Sequence, residues 1–192
     1  MLILPDANLT IPISKHRTYV IPAILGYPVF QSLGTIRFTH DHHFLAGPDL
    51  RTTGDFSRIY MDKLTPLLDC GTHGRQRVFA FDSGASSTQL FVAYYKEFSA
   101  DFVKEKKGKS RSYGAGGVAT SKVYILDNLQ LQIADRTAAL HHVPVHPEPL
   151  GVIADRTYGN LGRGIPAQFE SMTLDFTHAR AYLGTPLSPD AH

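Results

Sequence analysis

The sequence predicts a mostly β protein in which helix is the minority element. Sixteen Gly and twelve Pro are spread along all 192 residues rather than gathered in one tract, which suits many short strands joined by turns. Residues 77–81 form an almost continuous apolar run, as a buried strand does. Further on, Leu129, Leu131 and Ile133 alternate with Gln130 and Gln132, the period of two expected of a strand within residues 122–133. One short helix is expected after Ser87 or Thr88, either of which can cap it, with Leu90, Phe91, Tyr94, Tyr95 and Phe98 as its apolar face.

With 43% hydrophobic and 19% charged positions, the chain can bury one good core, or one core and part of another. A net charge of +2 from evenly mixed residues gives no reason to expect a nucleic-acid partner. Cys70 stands alone, so an internal disulfide, a zinc ribbon and a CxxC redox motif are all excluded. No run approaches 18 apolar residues, and the amino end MLILPDANLT lacks the basic region and apolar stretch of a signal peptide. No membrane span is expected, and the compartment is left open because an export signal would lie upstream.

Two segments match position for position. Ile24-Leu25-Gly26 continues to Leu33, Ile36 and Phe38; Asn160-Leu161-Gly162 continues to Phe169, Met172 and Leu174. Each then meets a polar break, His40 to His43 or Thr177-His178, and resumes at Phe44-Leu45 or Tyr182-Leu183. Both are read as turn, short helix, strand and hairpin. The two glycines lie 136 residues apart, the size of a domain rather than of a solenoid unit, so two similar lobes are implied. Residues 1–48 would be the carboxy-terminal part of a first lobe, 49–60 a linker beside the turn signals Gly47-Pro48 and Thr53-Gly54, 61–184 a complete second lobe and 185–192 a tail.

The chemistry centres on Asp82-Ser83-Gly84, which follows the apolar run directly. A carboxylate buried there needs hydrogen bonds, a pairing partner or a shared proton, and Ser83, Gly84 and the hydroxyls that follow offer donors. Gly84 lets the backbone turn sharply and lets a second loop approach. The simpler reading is a strand-to-helix turn with Asp82 as a local cap.

This segment resembles the catalytic turn of the retropepsin-like and pepsin-like aspartic peptidases, Asp-Thr/Ser-Gly-Ala/Ser after a hydrophobic strand. The family's second hallmark is an apolar pair followed by Gly, and Asn160-Leu161-Gly162 resembles it with Asn160 in place of an apolar residue. Ile24-Leu25-Gly26 fits it throughout. The resemblance covers residues 61–184 as one lobe and 1–46 as the end of another, in the manner of bacterial two-lobed members. It implies an acid-protease-like closed β-barrel lobe with one or two short helices, preceded by the end of a similar lobe.

The resemblance further implies an aspartic endopeptidase with Asp82 as catalytic carboxylate, Ser83 hydrogen-bonded to the matching turn of another lobe, and Gly84 keeping that junction close. Leu161 and Gly162 would support the turn. Tyr113, Gly114, Gly116 and Gly117 would form a flap over a peptide or protein substrate, or else a plain hairpin turn. Such chemistry uses two carboxylates in contact, one acting as base on a water and the other as acid. No other Asp-Ser/Thr-Gly occurs in the sequence. The second aspartate is therefore expected from a missing amino-terminal lobe or from a homodimer partner, and no cofactor is expected. The alternative is a non-catalytic peptide-binding or dimerisation module with the same fold.

Other signals are weaker. His40, His42 and His43, and separately His141, His142 and His146, are read as exposed loop residues, and no metal is assigned. Gly114-Ala115-Gly116-Gly117-Val118-Ala119 fits GxGxxA but leads into a strand, not a helix. Lys104, Lys106, Lys107, Lys109 and Arg111 are read as a solvated loop. Ser86 and Ser87 have no GxSxG context.

Overall fold

The computed structural model describes residues 10–14, 17–21, 24–102, 106–114, 117–151 and 154–188. A hairpin of β1 (Thr10–Ser14) and β2 (Arg17–Val20) stands apart from the main sheet. It is followed by helix α1 (Tyr27–Leu33), β3 (Thr35–Thr39) and β4 (Phe44–Ala46). Then come β5 (Ser57–Asp62), β6 (Thr65–Thr72), β7 (Arg75–Phe81), β8 (Gln89–Leu90) and helix α2 (Val92–Glu97). The remaining strands are β9 (Lys106–Gly114), β10 (Gly117–Ile133), β11 (Arg136–Val145), β12 (Gly159–Leu161), β13 (Ser171–Asp175) and β14 (Arg180–Leu183). The protein is mainly β, and no helix among the described residues is long and apolar enough to cross a membrane.

Twelve strands form one sheet in the order β4-β3-β13-β14-β5-β6-β7-β12-β8-β11-β10-β9. A further pair, Gln132↔Gly71, joins β10 back to β6, so the strands from β6 to β10 close into a ring. The interior is filled by alternate residues of these strands: Leu68 and Cys70, Phe79 and Phe81, Leu129, Leu131 and Ile133, with Val143, Val145 and Leu161. Each such apolar side chain contributes about 1.5–3 kcal/mol on burial. Gln130 and Gln132 point outward from β10, as the period of two requires. Burial raises the Cys70 thiol far above its ordinary pKa, which keeps it protonated and unreactive.

The two repeated segments meet in the sheet. β3 pairs antiparallel with β13, Ile36 opposite Leu174, Arg37 opposite Thr173 and Phe38 opposite Met172. Arg37 and Thr173 are themselves 136 residues apart and joined by a 2.7 Å hydrogen bond from Arg37 Nε to Thr173 Oγ1. Equivalent positions of the repeat therefore pair about a local two-fold axis between these residues, as a self-complementary contact does.

Several expectations change. The stretch read as a 49–60 linker contains the first four residues of β5, because Ile59 is buried and pairs with Leu68. No helix begins at Ser87 or Thr88: Gln89–Leu90 is a strand, and α2 starts at Val92 after an extended Phe91 without a side-chain cap. Pairing to β11 and β12 overrides the local capping signal there. Of the basic run read as a solvated loop, Lys106, Lys107, Lys109 and Arg111 belong to β9, paired residue by residue with β10, and Lys104 lies outside the described residues.

Candidate active-site turn

β7 becomes buried over its last three residues, Phe79, Ala80 and Phe81, and the chain then leaves the sheet at Asp82. The turn is held by its own atoms: the Gly84 N–H donates to Asp82 Oδ1 at 2.9 Å, and the Ala85 N–H donates to the Asp82 carbonyl at 3.0 Å. Asp82, Ser83 and Gly84 are exposed. The buried carboxylate expected from the preceding strand is thus corrected, because burial ends with the last sheet residue.

β12 secures the turn from behind. It inserts between β7 and β8, parallel to the first (Asn160↔Ala80, Leu161↔Phe81) and antiparallel to the second (Gly159↔Leu90, Asn160↔Gln89). The Asp82 N–H donates to the Leu161 carbonyl at 3.0 Å, and the Arg163 N–H to the Ala85 carbonyl at 3.0 Å. The Gly162 N–H donates to buried Thr88 Oγ1 at 3.1 Å. A Cβ on Gly162 would lie 2.7 Å from Ser87 C and O and 2.8 Å from Ala85 O, so only glycine lets the two backbones approach this closely. Leu161 and Gly162 therefore do pack against the Asp82 turn.

The turn opens on a groove of ≈ 440 Å³. It is lined by Asp82, Ser83 and Asn160, by Ile24, Leu25 and Gly26, and by apolar residues that include Phe38 and Leu174. The first copy of the glycine segment lines this groove through Ile24, Leu25 and Gly26 and the second through Asn160, and the two copies differ in environment. Leu161 is 0% exposed whereas Leu25, its equivalent, is 55% exposed. A Cβ on Gly26 would meet only Pro28 Cδ, at 3.7 Å. Among the described residues lining this groove, Asp82 is the only carboxylate.

The suggested flap begins as a hairpin, with Gly114 paired to Gly117 and Tyr113 to Val118. Gly116 lies outside the described residues. A polar chain that sequence spacing did not reveal ties this hairpin to the strand after the turn. Gln89 Nε2 donates to Ser112 Oγ on β9 at 3.2 Å, and Gln89 Oε1 accepts from His146 Nε2 at 3.1 Å. That leaves His146 Nδ1 to accept from Ser121 Oγ on β10, at 3.1 Å. His146 is buried, not an exposed loop residue, and burial lowers its pKa, which favours this neutral tautomer.

Elsewhere, His40 and His42 lie in the exposed β3–β4 turn and His141 and His142 on β11. Among the described residues no three His, Cys, Asp or Glu side chains converge as a metal site would require. No family model matches the chain, and a search of curated proteins found no match.

Proposed function

We propose that the chain is the carboxylate-bearing lobe of an aspartic endopeptidase, with Asp82 supplying one of two catalytic carboxylates. The observation that supports this most directly is the clamped turn: an exposed Asp after a buried strand, held by a glycine segment on a strand inserted between its two flanks, and opening on a groove. In this reading, Asp82 and a second aspartate share a proton, one activates a water, and the other protonates the scissile carbonyl oxygen of an extended peptide. Both act on substrate atoms while the backbone donors of the turn fix the carboxylate's direction.

The second carboxylate is assigned to a lobe preceding the first glycine segment rather than to a second copy of the chain. Both edges of β13 are taken, by β14 and β3, so a second copy cannot add to that strand. The exposed Ile24, Leu25, Phe44 and Leu45 are apolar surface that such a lobe would cover. β14 is flanked by β5, whereas β4, its counterpart, ends the sheet among the described residues.

In the protein with its preceding lobe, Asp82→Asn should lower cleavage of a denatured protein substrate by about 10²–10⁴-fold and leave the circular dichroism spectrum unchanged. Undiminished cleavage would remove Asp82 from the chemistry. A second reading, a peptide-binding module without catalysis, is favoured by the single carboxylate among the described residues of the groove. It predicts peptide binding that Asp82→Asn leaves intact and no cleavage by any form of the protein.

A further inference from the structure

The outer face of the β9–β10 hairpin carries a charge arrangement that the Asp82 groove does not explain. Register places Lys109 directly opposite Lys122, and Lys107 opposite Tyr124. Like charges at directly opposed positions destabilise a strand pair, so this pairing costs stability within the hairpin itself. Among the described residues no carboxylate forms an ion pair with Lys107, Lys109 or Lys122. The three lysines, with Gly108, Val123, Tyr124 and Pro147, line a second groove of ≈ 430 Å³. Tyr124 gives it a firm floor, stacked on Tyr95 with centroids 5.4 Å apart, and the Lys107 ammonium sits 5.8 Å from the Tyr124 centroid.

β9 is also the last strand of the sheet. Its outer edge presents backbone N–H and C=O groups with no neighbouring strand among the described residues, the arrangement to which an extended peptide adds as a further strand. Lys107 and Lys109 are two residues apart on β9, on one face, so they recur with the period of an added strand's own side chains. A strand whose acidic residues fall at alternate positions would place its carboxylates along this row.

We propose that the β9 edge and the Lys107, Lys109, Lys122 face bind an acidic extended peptide segment by strand addition. This site is separate from the Asp82 groove and does not depend on the function of Asp82. The edge hydrogen bonds favour a peptide over other polyanions, which would use the lysines alone.

The test measures fluorescence anisotropy of a labelled peptide alternating Glu and Thr, on the whole chain carrying Asp82→Asn so that no turnover intervenes. Saturable binding is expected at low salt, weakening as salt screens the charges. Lys122→Glu should weaken it by about fivefold or more. The same substitution turns the Lys109–Lys122 opposition into a Lys–Glu pair, so its urea midpoint should be no lower than that of the parent protein. Lys122→Gln serves as a second variant should the reversal perturb folding; it should weaken binding in the same direction.

A peptide N-methylated at alternate residues should bind markedly less well, because it cannot complete the strand pairing. Absence of binding, binding unaffected by either Lys122 variant, or equal binding of the N-methylated peptide or of a DNA oligonucleotide would each overturn the proposal.

Discussion

Gly26 and Gly162 are equivalent in sequence but not in surroundings, and substituting each with alanine measures that difference. At Gly162 the new Cβ would stand 2.7 Å from Ser87 C and O, well inside the 3.4–4 Å of ordinary van der Waals contact, and the neighbours are backbone rather than flexible side-chain ends. Overpacking of this kind costs about 1–3 kcal/mol. Displacing the turn also strains the Gly162 N–H to Thr88 bond, and a buried donor left unpaired costs about 1–3 kcal/mol. Gly162→Ala should therefore destabilise the protein by about 2–6 kcal/mol. Gly26→Ala meets only Pro28 Cδ at 3.7 Å and should cost less than about 1 kcal/mol, chiefly through its place at the start of α1. Urea unfolding followed by circular dichroism gives both values. Gly162→Ala within 0.5 kcal/mol of the parent, the range typical of indifferent surface substitutions, would refute the clamp on the Asp82 turn. If the preceding lobe exists, Gly26→Ala should become as costly as Gly162→Ala in the two-lobed protein, because a second turn would then face Gly26.

Two other predictions concern supports of the same lobe. Thr88→Val keeps the shape of the buried side chain but leaves the Gly162 N–H without its acceptor, and should cost about 1–3 kcal/mol in urea unfolding; no change would mean that the bond is dispensable. Glu97 accepts hydrogen bonds from Arg77, Tyr158 and Arg75, tying α2 to β7 and to the residue before β12. These bonds, Arg77's first, hold its pKa down to about 2 from an ordinary 4.5. A depressed carboxylate contributes stability that is fully present above its unfolded pKa and lost as pH falls through its folded one. The destabilisation caused by Glu97→Gln should thus be largest above about pH 4.5 and fade toward pH 2. A difference constant across that range would show that its ionisation is immaterial.

How far the site was legible depended on what each feature requires. The Asp82 turn and the Leu161-Gly162 support were readable because a polar turn after an apolar run, and a glycine within an apolar frame, have direct steric causes. The repeat was readable because side-chain periodicity survives in the string. Thr88, Gln89 and His146 were not, since their roles come from partners 74, 23 and 25 residues away and nothing local marks such pairings. His146 resembled its exposed neighbours in composition, and only the packing of β8, β10 and β11 buried it. Lys106, Lys107, Lys109 and Arg111 looked like a solvated loop because their charges suit water, but an edge strand also keeps alternate side chains in water, so composition alone could not separate the two.

By itself, then, the sequence determined that the chain is mainly β, that Asp82 ends a buried strand, and that two segments share one pattern. Local sterics and periodicity act over a few residues and are written in their order. The tertiary structure alone decided that β12 enters between β7 and β8, that β3 takes the edge of β13 about Arg37 and Thr173, and that the Ile24-Leu25-Gly26 segment and the Asp82 turn line one groove. Those outcomes rest on pairings between distant strands, chosen by the burial and hydrogen bonding of the whole sheet at once.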